Sequence, residues 1–347
     1  MFHDMEIDKL VSIINGSNFS VIDVRSPSEY SDFHFPNSIN IPVFNDKERA
    51  EVGTLYKKKS PQAAKERGLE IFSAKLPSFM KSVASLPGEK VLYCWRGGMR
   101  SKTAATMVDL MGLPVYRLEG GIRSYRDWVV RTLNKLEVRP ITIVLNGYSG
   151  TGKTSILRSL KKEGYPVIDL ENIANHRGSI FGQIGLKPNN QKTFDSLLLD
   201  QLLQYKDSPY LLIEGESKRI GKVTLPNFLS KKKENGIHVF LHLPLEERIR
   251  NVIEEYEPWN HKKECIEAFQ HIKRRIHTPV AFEIEENLLA ENYRDAIRLL
   301  LEYYYDPRYS HSVSLYEHPE NIFFKSRTIE DAKEQIKQFL TNYHVNQ

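Results

Sequence analysis

Short apolar runs alternate with stretches of helical spacing along most of the chain, which is the pattern of an α/β protein. Phe19 to Val24 reads as a strand ending beside Asp23 and Arg25, and Lys90 to Tyr93 as a second strand that runs straight into Cys94. Ser101 to Leu110 has helical periodicity, with Ala104, Ala105, Met107, Val108 and Leu110 available for a buried face. Val115 to Leu118 predicts the next strand, Gly120-Gly121 a turn, and Ser124 to Lys135 a closing helix. After Arg139-Pro140 the pattern starts afresh. Ile141 to Leu145 is nearly all apolar, as in a parallel strand buried on both faces, and it leads into a glycine-rich turn and a helix starting near Ser155. Further strands are predicted at Val167 to Leu170, Tyr210 to Ile213 and His238 to Leu243, and beyond about Leu245 the pattern is helical almost to the end.

This organisation predicts a first α/β domain over residues 1–136 and a second, parallel-sheet domain with its core in 137–245. Residues 246–347 are expected to be a helical region continuing that second domain. A length of 347 residues suits two domains, and a composition 40% hydrophobic and 27% charged is that of a globular protein. No apolar run approaches the roughly 20 residues needed to span a bilayer, and Met1 to Leu10 carries acidic residues where a signal peptide has a basic and then an apolar stretch. The expected location is the cytoplasm, with no membrane partner. Two cysteines, Cys94 and Cys265, are too few for a disulfide framework. The net charge of +5 permits an anionic partner without demanding one. Basic groups at Lys57 to Lys59, Lys231 to Lys233, Lys262 to Lys263 and Lys273 to Arg275 point toward a polyanion, although each alone also fits a solvated face.

The placement of Cys94 carries chemistry. It ends a strand and is followed by Trp95-Arg96-Gly97-Gly98-Met99-Arg100-Ser101, after which a helix begins. Such a loop directs backbone N–H groups inward, and the helix dipole adds positive potential, so the position favours a thiolate and cradles an anion. Gly97 and Gly98 let the backbone curl, while Arg96 and Arg100 add charge. Cys265, between Lys263 and Glu267 in a helical pattern, is expected to be inert.

Gly147-Tyr148-Ser149-Gly150-Thr151-Gly152-Lys153-Thr154 matches G-x-x-x-x-G-K-[ST] in full, between a predicted strand and a helix. Gly147, Gly150 and Gly152 allow amides to converge on phosphate oxygens, Lys153 neutralises their charge, and Thr154, followed by Ser155, can ligate Mg2+. Glu214 and Glu216, after the strand Tyr210 to Ile213, stand where an acid organising metal or water is expected. The motif alone does not distinguish a nucleoside triphosphate from another diphosphate. Tyr303, Tyr304, Tyr305 and Tyr309 could stack on bases, but core packing is the better reading of their helical setting.

The Cys94 loop resembles the active-site loop of rhodanese-like domains. Val21 to Tyr30 (Val-Ile-Asp-Val-Arg-Ser-Pro-Ser-Glu-Tyr) and His34 to Pro42 resemble that family's other signature, without the usual glycine after the histidine. From Cys94 to Arg100 the spacing is Cys-x5-Arg, one residue longer than the common sulfurtransferase loop and equal to that of rhodanese-fold phosphatases. A rhodanese-like domain followed by a P-loop domain, with Asn45 to Arg49, Val52 to Lys57, His176 to Gly182 and Glu214 to Gly221 in support, resembles the tRNA 2-selenouridine synthases up to about residue 221.

That resemblance implies a transferase acting on tRNA. Sulfur of the wobble 2-thiouridine would be exchanged for selenium from selenophosphate, with S-geranylation from geranyl diphosphate as an intermediate step. It further implies that Cys94 handles selenium, that Arg96, Gly97, Gly98 and Arg100 hold selenophosphate, and that Lys153 and Thr154 hold the diphosphate, directly or through Mg2+. His176 and Arg177 are implied substrate contacts, no cofactor is expected to be tightly bound, and a selenophosphate-supplying enzyme is an implied partner. Two other readings stay open on the residues alone: a rhodanese-fold cysteine phosphatase fused to a P-loop small-molecule kinase, and a non-enzymatic module that binds tRNA or carries sulfur.

Overall fold

A computed structural model describes residues 2–14, 18–313 and 321–345. The chain divides into two compact units; one ends at Leu136 and takes in Asp195–Leu199, and the other holds the remainder.

The first unit is built on one parallel sheet of β1 (His3–Met5), β2 (Phe19–Asp23), β3 (Ile39–Asn40), β4 (Glu89–Tyr93) and β5 (Val115–Leu118), in the order β1-β5-β4-β2-β3. The apolar runs of β2 and β4 pair Val21 with Val91 and Ile22 with Leu92, all buried, because the inner strands of a parallel sheet are covered on both faces. Ala104, Ala105 and Val108 of the helix Met99–Leu110 pack on them with Phe72, Phe79 and Val83 of the helix Pro61–Ala84. The helix after Cys94 thus begins at Met99, two residues before the expected Ser101, and the closing helix runs Gly121–Lys135, starting before Ser124.

Asp23 and Arg25 are both fully buried at the end of β2. Arg25 Nε donates to Asp23 Oδ1 at 3.0 Å, and Nη2 donates to Oδ2 at 2.6 Å and to the Phe33 carbonyl at 2.5 Å. A buried ion pair is tolerated only with its remaining hydrogen bonds met, and removing one partner leaves an uncompensated charge that costs about 3–5 kcal/mol. The Tyr93 hydroxyl accepts from the Phe35 amide at 3.1 Å and pairs with Ser38 Oγ at 2.9 Å. These polar contacts hold the segment around Phe33, Phe35 and Ser38 against the ends of β2 and β4.

The second unit holds a parallel sheet of β6 (Ile141–Gly147), β7 (Val167–Ile168), β8 (Tyr210–Glu214), β11 (Ile237–His242) and β12 (Ile322–Lys325), ordered β12-β11-β6-β8-β7. A small antiparallel pair, β9 (Arg219–Ile220) and β10 (Val223–Thr224), lies outside it. Strand β6 is central, flanked by β8 and β11, so the loop leaving its carboxyl end opens where ligands bind in open α/β sheets.

The region beyond Leu245 is not helical throughout, because β12 forms the sheet edge there. Its four residues alternate between half-buried and exposed, a stretch too short for periodicity to separate from a loop. The helices Leu245–Tyr256, Lys262–Gln270, Thr278–Leu289 and Tyr293–Leu300 gather a core of their own around Ile249, Phe269, Ile272, Ile284 and Ala296. Among the described residues no helix is long and apolar enough to cross a membrane.

Candidate active sites: a cysteine loop and a phosphate cradle

Cys94 leaves β4 with 3% of its surface exposed, and its Sγ lies 3.2 Å from Ser101 Oγ in the first turn of the following helix. That helix starts from Gly98 with no side-chain cap, so its leading amides keep their capacity to bind an anion. The opposite side of the loop is braced by backbone. Ile122 N–H donates to the Cys94 carbonyl at 2.9 Å and Arg123 N–H to the Trp95 carbonyl at 3.3 Å. Gly121, at φ +63°, allows this approach, since a Cβ there would stand 2.3 Å from the Cys94 oxygen. Apart from its own chain neighbours, no atom of the described residues lies within 4 Å of where a Gly98 Cβ would be, so the loop is open at that point.

The two arginines of the loop differ. Arg96 is exposed, whereas Arg100 is held by Glu29, with Nη1 to Oε2 at 2.5 Å and Nη2 to Oε1 at 3.2 Å. Burial is the strongest single influence on the Glu29 carboxyl and works to raise it, but Arg100, the Ser26 amide and Arg49 together leave that group below its ordinary value. Arg117 of β5 is the basic residue the sequence reading missed. Its Nη1 donates to the Gly97 carbonyl at 2.9 Å while its other nitrogens pair with Asp4. An arginine inside a strand carries no local signal that the chain will fold it beneath the cysteine loop.

In the second unit Gly147–Thr154 forms the predicted phosphate loop, and the helix starts at Lys153, two residues before Ser155. Gly147, Gly150 and Gly152 all take positive φ, and a Cβ on Gly150 would lie 2.6 Å from the Arg248 carbonyl oxygen. Lys153 Nζ donates to the carbonyls of Gly147 at 2.8 Å and Tyr148 at 3.3 Å, curled over the loop. The outside of the loop is held by Arg248, whose Nε donates to the Ser149 carbonyl at 2.8 Å and whose two terminal nitrogens grip the Asp306 carboxylate. Asn251 donates to the Gly150 carbonyl at 2.8 Å. Ser155 is exposed and turned away from the cavity above the loop.

The acid beside the loop is Glu171, not Glu214. Thr154 Oγ1 donates to Glu171 Oε2 at 2.8 Å, and the Glu171 amide donates to Glu214 Oε2 at 3.0 Å. Glu214 is wholly buried behind Glu171, and among the described residues its Oε1 finds no hydrogen-bond partner. Burial and then nearby Glu216 push the Glu171 carboxyl up to about 8, while burial and then Glu171 raise Glu214 well above the usual range. Both shifts favour the neutral acids, which lessens their own negative charge beside a cradle built for phosphate. Glu171 follows β7 by three residues, and an acid just past a strand end is too common to single out.

One prediction follows from the sign of this shift. Glu171, which faces Thr154, Lys153, Glu216 and Glu255, is neutral below about 8 and adds a negative charge above it. Binding of inorganic pyrophosphate without Mg2+ should thus weaken as pH rises through that value, and Glu171→Gln should flatten the profile. Titration calorimetry on either side of pH 8 measures this; an equally steep profile in the Gln variant would remove Glu171 as its source.

His176 and Arg177 part company. His176 is packed between Gly182 and Gly221, where added Cβ atoms would stand 2.7 and 2.6 Å from its ring; its Nδ1 accepts from the Gly178 amide, and burial lowers its pKa. It does not line the cavity, whereas Arg177 does, held by the Ile184 carbonyl at 2.8 Å and lying 4.7 Å over the Tyr256 ring. Glu216 also lines the cavity.

The cavity, about 320 Å³, starts at the phosphate loop and continues into an apolar arm among Phe181, Ile184, Val252, Leu288, Ile297 and Leu300. Of the tyrosine run, Tyr304 is buried, Tyr305 lines this cavity and Tyr303 is exposed. Among the basic clusters, Lys262, Lys263 and Lys273 pair with Glu291, Glu267 and Glu285, and Lys233 is buried with its ammonium on the Glu216 carbonyl. Lys57 to Lys59 are exposed.

The two sites define a protein that joins a rhodanese-type cysteine loop to a Walker-type phosphate cradle with an apolar extension. The profile of the rhodanese-like domain matches residues 6–127, and that of the tRNA 2-selenouridine synthase AAA domain matches residues 140–272. A curated tRNA 2-selenouridine synthase of Sulfurovum sp. is 31% identical, covering 94% of this chain and 96% of its own. Those of Nitrosomonas europaea and Hydrogenovibrio crunogenus are 27% and 33% identical, covering 98% and 85% of this chain and 91% and 90% of their own. The chain belongs to the tRNA 2-selenouridine synthase family.

Proposed function

We propose that this protein replaces the sulfur of wobble 2-thiouridine in tRNA by selenium, in two steps, the first of which is S-geranylation from geranyl diphosphate. The observation that carries this reading is the amphipathic cavity. A nucleotide-binding P-loop opens onto polar contacts for a sugar and base, but here the phosphate loop leads into an arm walled by side chains such as Phe181, Val252, Ile297 and Leu300, which suits a diphosphate joined to a hydrocarbon.

In the first step the thiouridine sulfur attacks C1 of the geranyl group, the C1–oxygen bond breaks, and the base gives up its N3 proton. The departing diphosphate gathers charge, which the loop amides and Lys153 stabilise. Thr154 and Glu171 offer hard oxygen donors 2.8 Å apart, a set that fits Mg2+ once Glu171 gives up its proton; the ion would add charge neutralisation there. Alkylation turns the sulfur into a thiol leaving group. The selenium of selenophosphate then adds at C2 of the base, the carbon bearing that sulfur, geranylthiol departs with a proton, and water cleaves the remaining selenium–phosphorus bond, releasing phosphate and leaving selenouridine. The uncapped turn after Gly98 supports a role for the Cys94 loop in holding the selenophosphate anion, with Cys94 guiding the selenium. The names of the relatives support tRNA as the substrate.

The direct test is mass analysis of nucleosides from tRNA bearing 2-thiouridine, incubated first with geranyl diphosphate and then with selenophosphate. A geranylthio nucleoside followed by selenouridine is expected. Tight tRNA binding with neither product would favour a binding module instead.

A further inference from the structure

The apolar arm has a closed end, and one residue stands at it. Helix Tyr293–Leu300, a π turn Leu301–Tyr305 and helix Asp306–Val313 follow one another without a break. Tyr293, Ile297, Leu301, Tyr305 and Tyr309, each four residues after the last, all line the cavity. The Tyr309 end belongs to the phosphate loop, since its ring lies 4.7 Å from that of Tyr148. Tyr293 comes sixteen residues earlier, about 20–24 Å away along the helix axis at roughly 1.5 Å per residue. Around it the walls are Cys265 and Leu288, both buried, and Tyr293 itself is only 8% exposed, so its side chain covers this pole, with Lys262 and the exposed Glu291 near it.

The Tyr293 hydroxyl is also buried and finds no hydrogen-bond partner among the described residues. A buried hydroxyl without a partner costs about 1–3 kcal/mol, so a tyrosine here needs a reason that phenylalanine or leucine would not serve better for packing alone.

Resting on the reading of the cavity as a prenyl diphosphate site, we propose that Tyr293 is the floor of the prenyl subsite and sets the longest chain the enzyme accepts. A hydrocarbon whose diphosphate sits at Lys153 extends away from the loop and meets Tyr293 last. The ring limits length by volume, and its hydroxyl presents a polar surface that a longer apolar chain would have to bury unpaired, a second penalty on overlong donors. Tyr293 therefore acts on selectivity between donors and not on bond making.

The test compares pyrophosphate, geranyl diphosphate and the fifteen-carbon farnesyl diphosphate as ligands, by calorimetry, and the two prenyl donors as substrates, with native protein, Tyr293→Leu and Tyr293→Phe. In Tyr293→Leu the farnesyl-to-geranyl ratio of kcat/KM should rise about tenfold or more, the range reached when a hydrophobic pocket gains or loses a small group. Tyr293→Phe keeps the ring and should shift the ratio by a smaller factor in the same direction. Thermal melting of each variant confirms folding; if Tyr293→Leu does not fold, Leu288→Ala enlarges the same pole and should raise the ratio likewise. An unchanged ratio in the folded variants, with native protein still binding geranyl diphosphate more tightly than pyrophosphate, overturns the floor and leaves the prenyl site standing. Native protein that binds both prenyl diphosphates no better than pyrophosphate overturns the prenyl reading itself.

Discussion

Cys94→Ala is expected to lose selenium incorporation by a factor on the order of 10³ or more while geranyl transfer stays within about twofold of native, because removing a reactive group abolishes only the step that uses it. The substitution is mild for the fold. Cys94 is buried at a strand end with its carbonyl, not its sulfur, carrying the link to Ile122, so alanine keeps the backbone bracing and gives up the sulfur's contacts with Ser101 Oγ and the Gly98 carbonyl. Supplying tRNA that already carries the geranylthio group isolates the second step, and nucleoside mass analysis reads both products in one sample. Loss of both activities in a folded variant would sink the division of labour between the two sites. Hydrolysis of an aryl phosphate by native protein that vanishes in Cys94→Ser would instead favour a cysteine phosphatase, the reading suggested by the Cys-x5-Arg spacing.

Lys153→Ala should have the converse effect. Its ammonium is the charge within the phosphate cradle, and loss of one such donor from a preorganised oxyanion site costs roughly 10²–10³ in kcat. Geranyl transfer should fall by at least that much, with weaker pyrophosphate binding, while selenation of pre-geranylated tRNA continues. Since Lys153 sits half-buried at the start of a helix and bonds only loop carbonyls, the variant should melt near the native temperature. Unchanged geranyl transfer in this variant would count against diphosphate binding at the loop.

Much of the architecture is readable in the chain because buried parallel strands are nearly pure apolar runs. Val115–Leu118 falls where the sequence puts it, and β2, β4, β6 and β8 differ from expectation by one or two residues at an end. Helix starts are less legible. Both functional helices begin two residues early, at Met99 and Lys153, because a glycine before each one lets the turn close immediately, and hydrophobic periodicity registers a helix only once a buried face recurs.

At the sites, residues that act through backbone were visible as motifs, while side-chain partnerships were not. Nothing near Arg100 in sequence announces Glu29, seventy-one residues away, and nothing near Thr154 announces Glu171. His176 carries a family pattern yet is packed between glycines, a role that only the fold reveals. The apolar arm is drawn from helices that read as ordinary core, since a wall facing a cavity and a wall facing another helix use the same residues.

The π turn at Leu301–Tyr305 settles a matter of rotational phase. In an unbroken α-helix, a step of four residues overshoots a full turn by about 40°, so four such steps would swing Tyr309 about 160° away from Tyr293, onto the opposite face. The wider turn lets the chain rotate less per residue and takes back part of that swing. One surplus residue thus acts as a vernier between anchoring and length selection: shortening that turn by a residue would turn the Tyr309 half away from Tyr148 or the Tyr293 half away from the pocket, while leaving every side chain in the sequence that makes either contact.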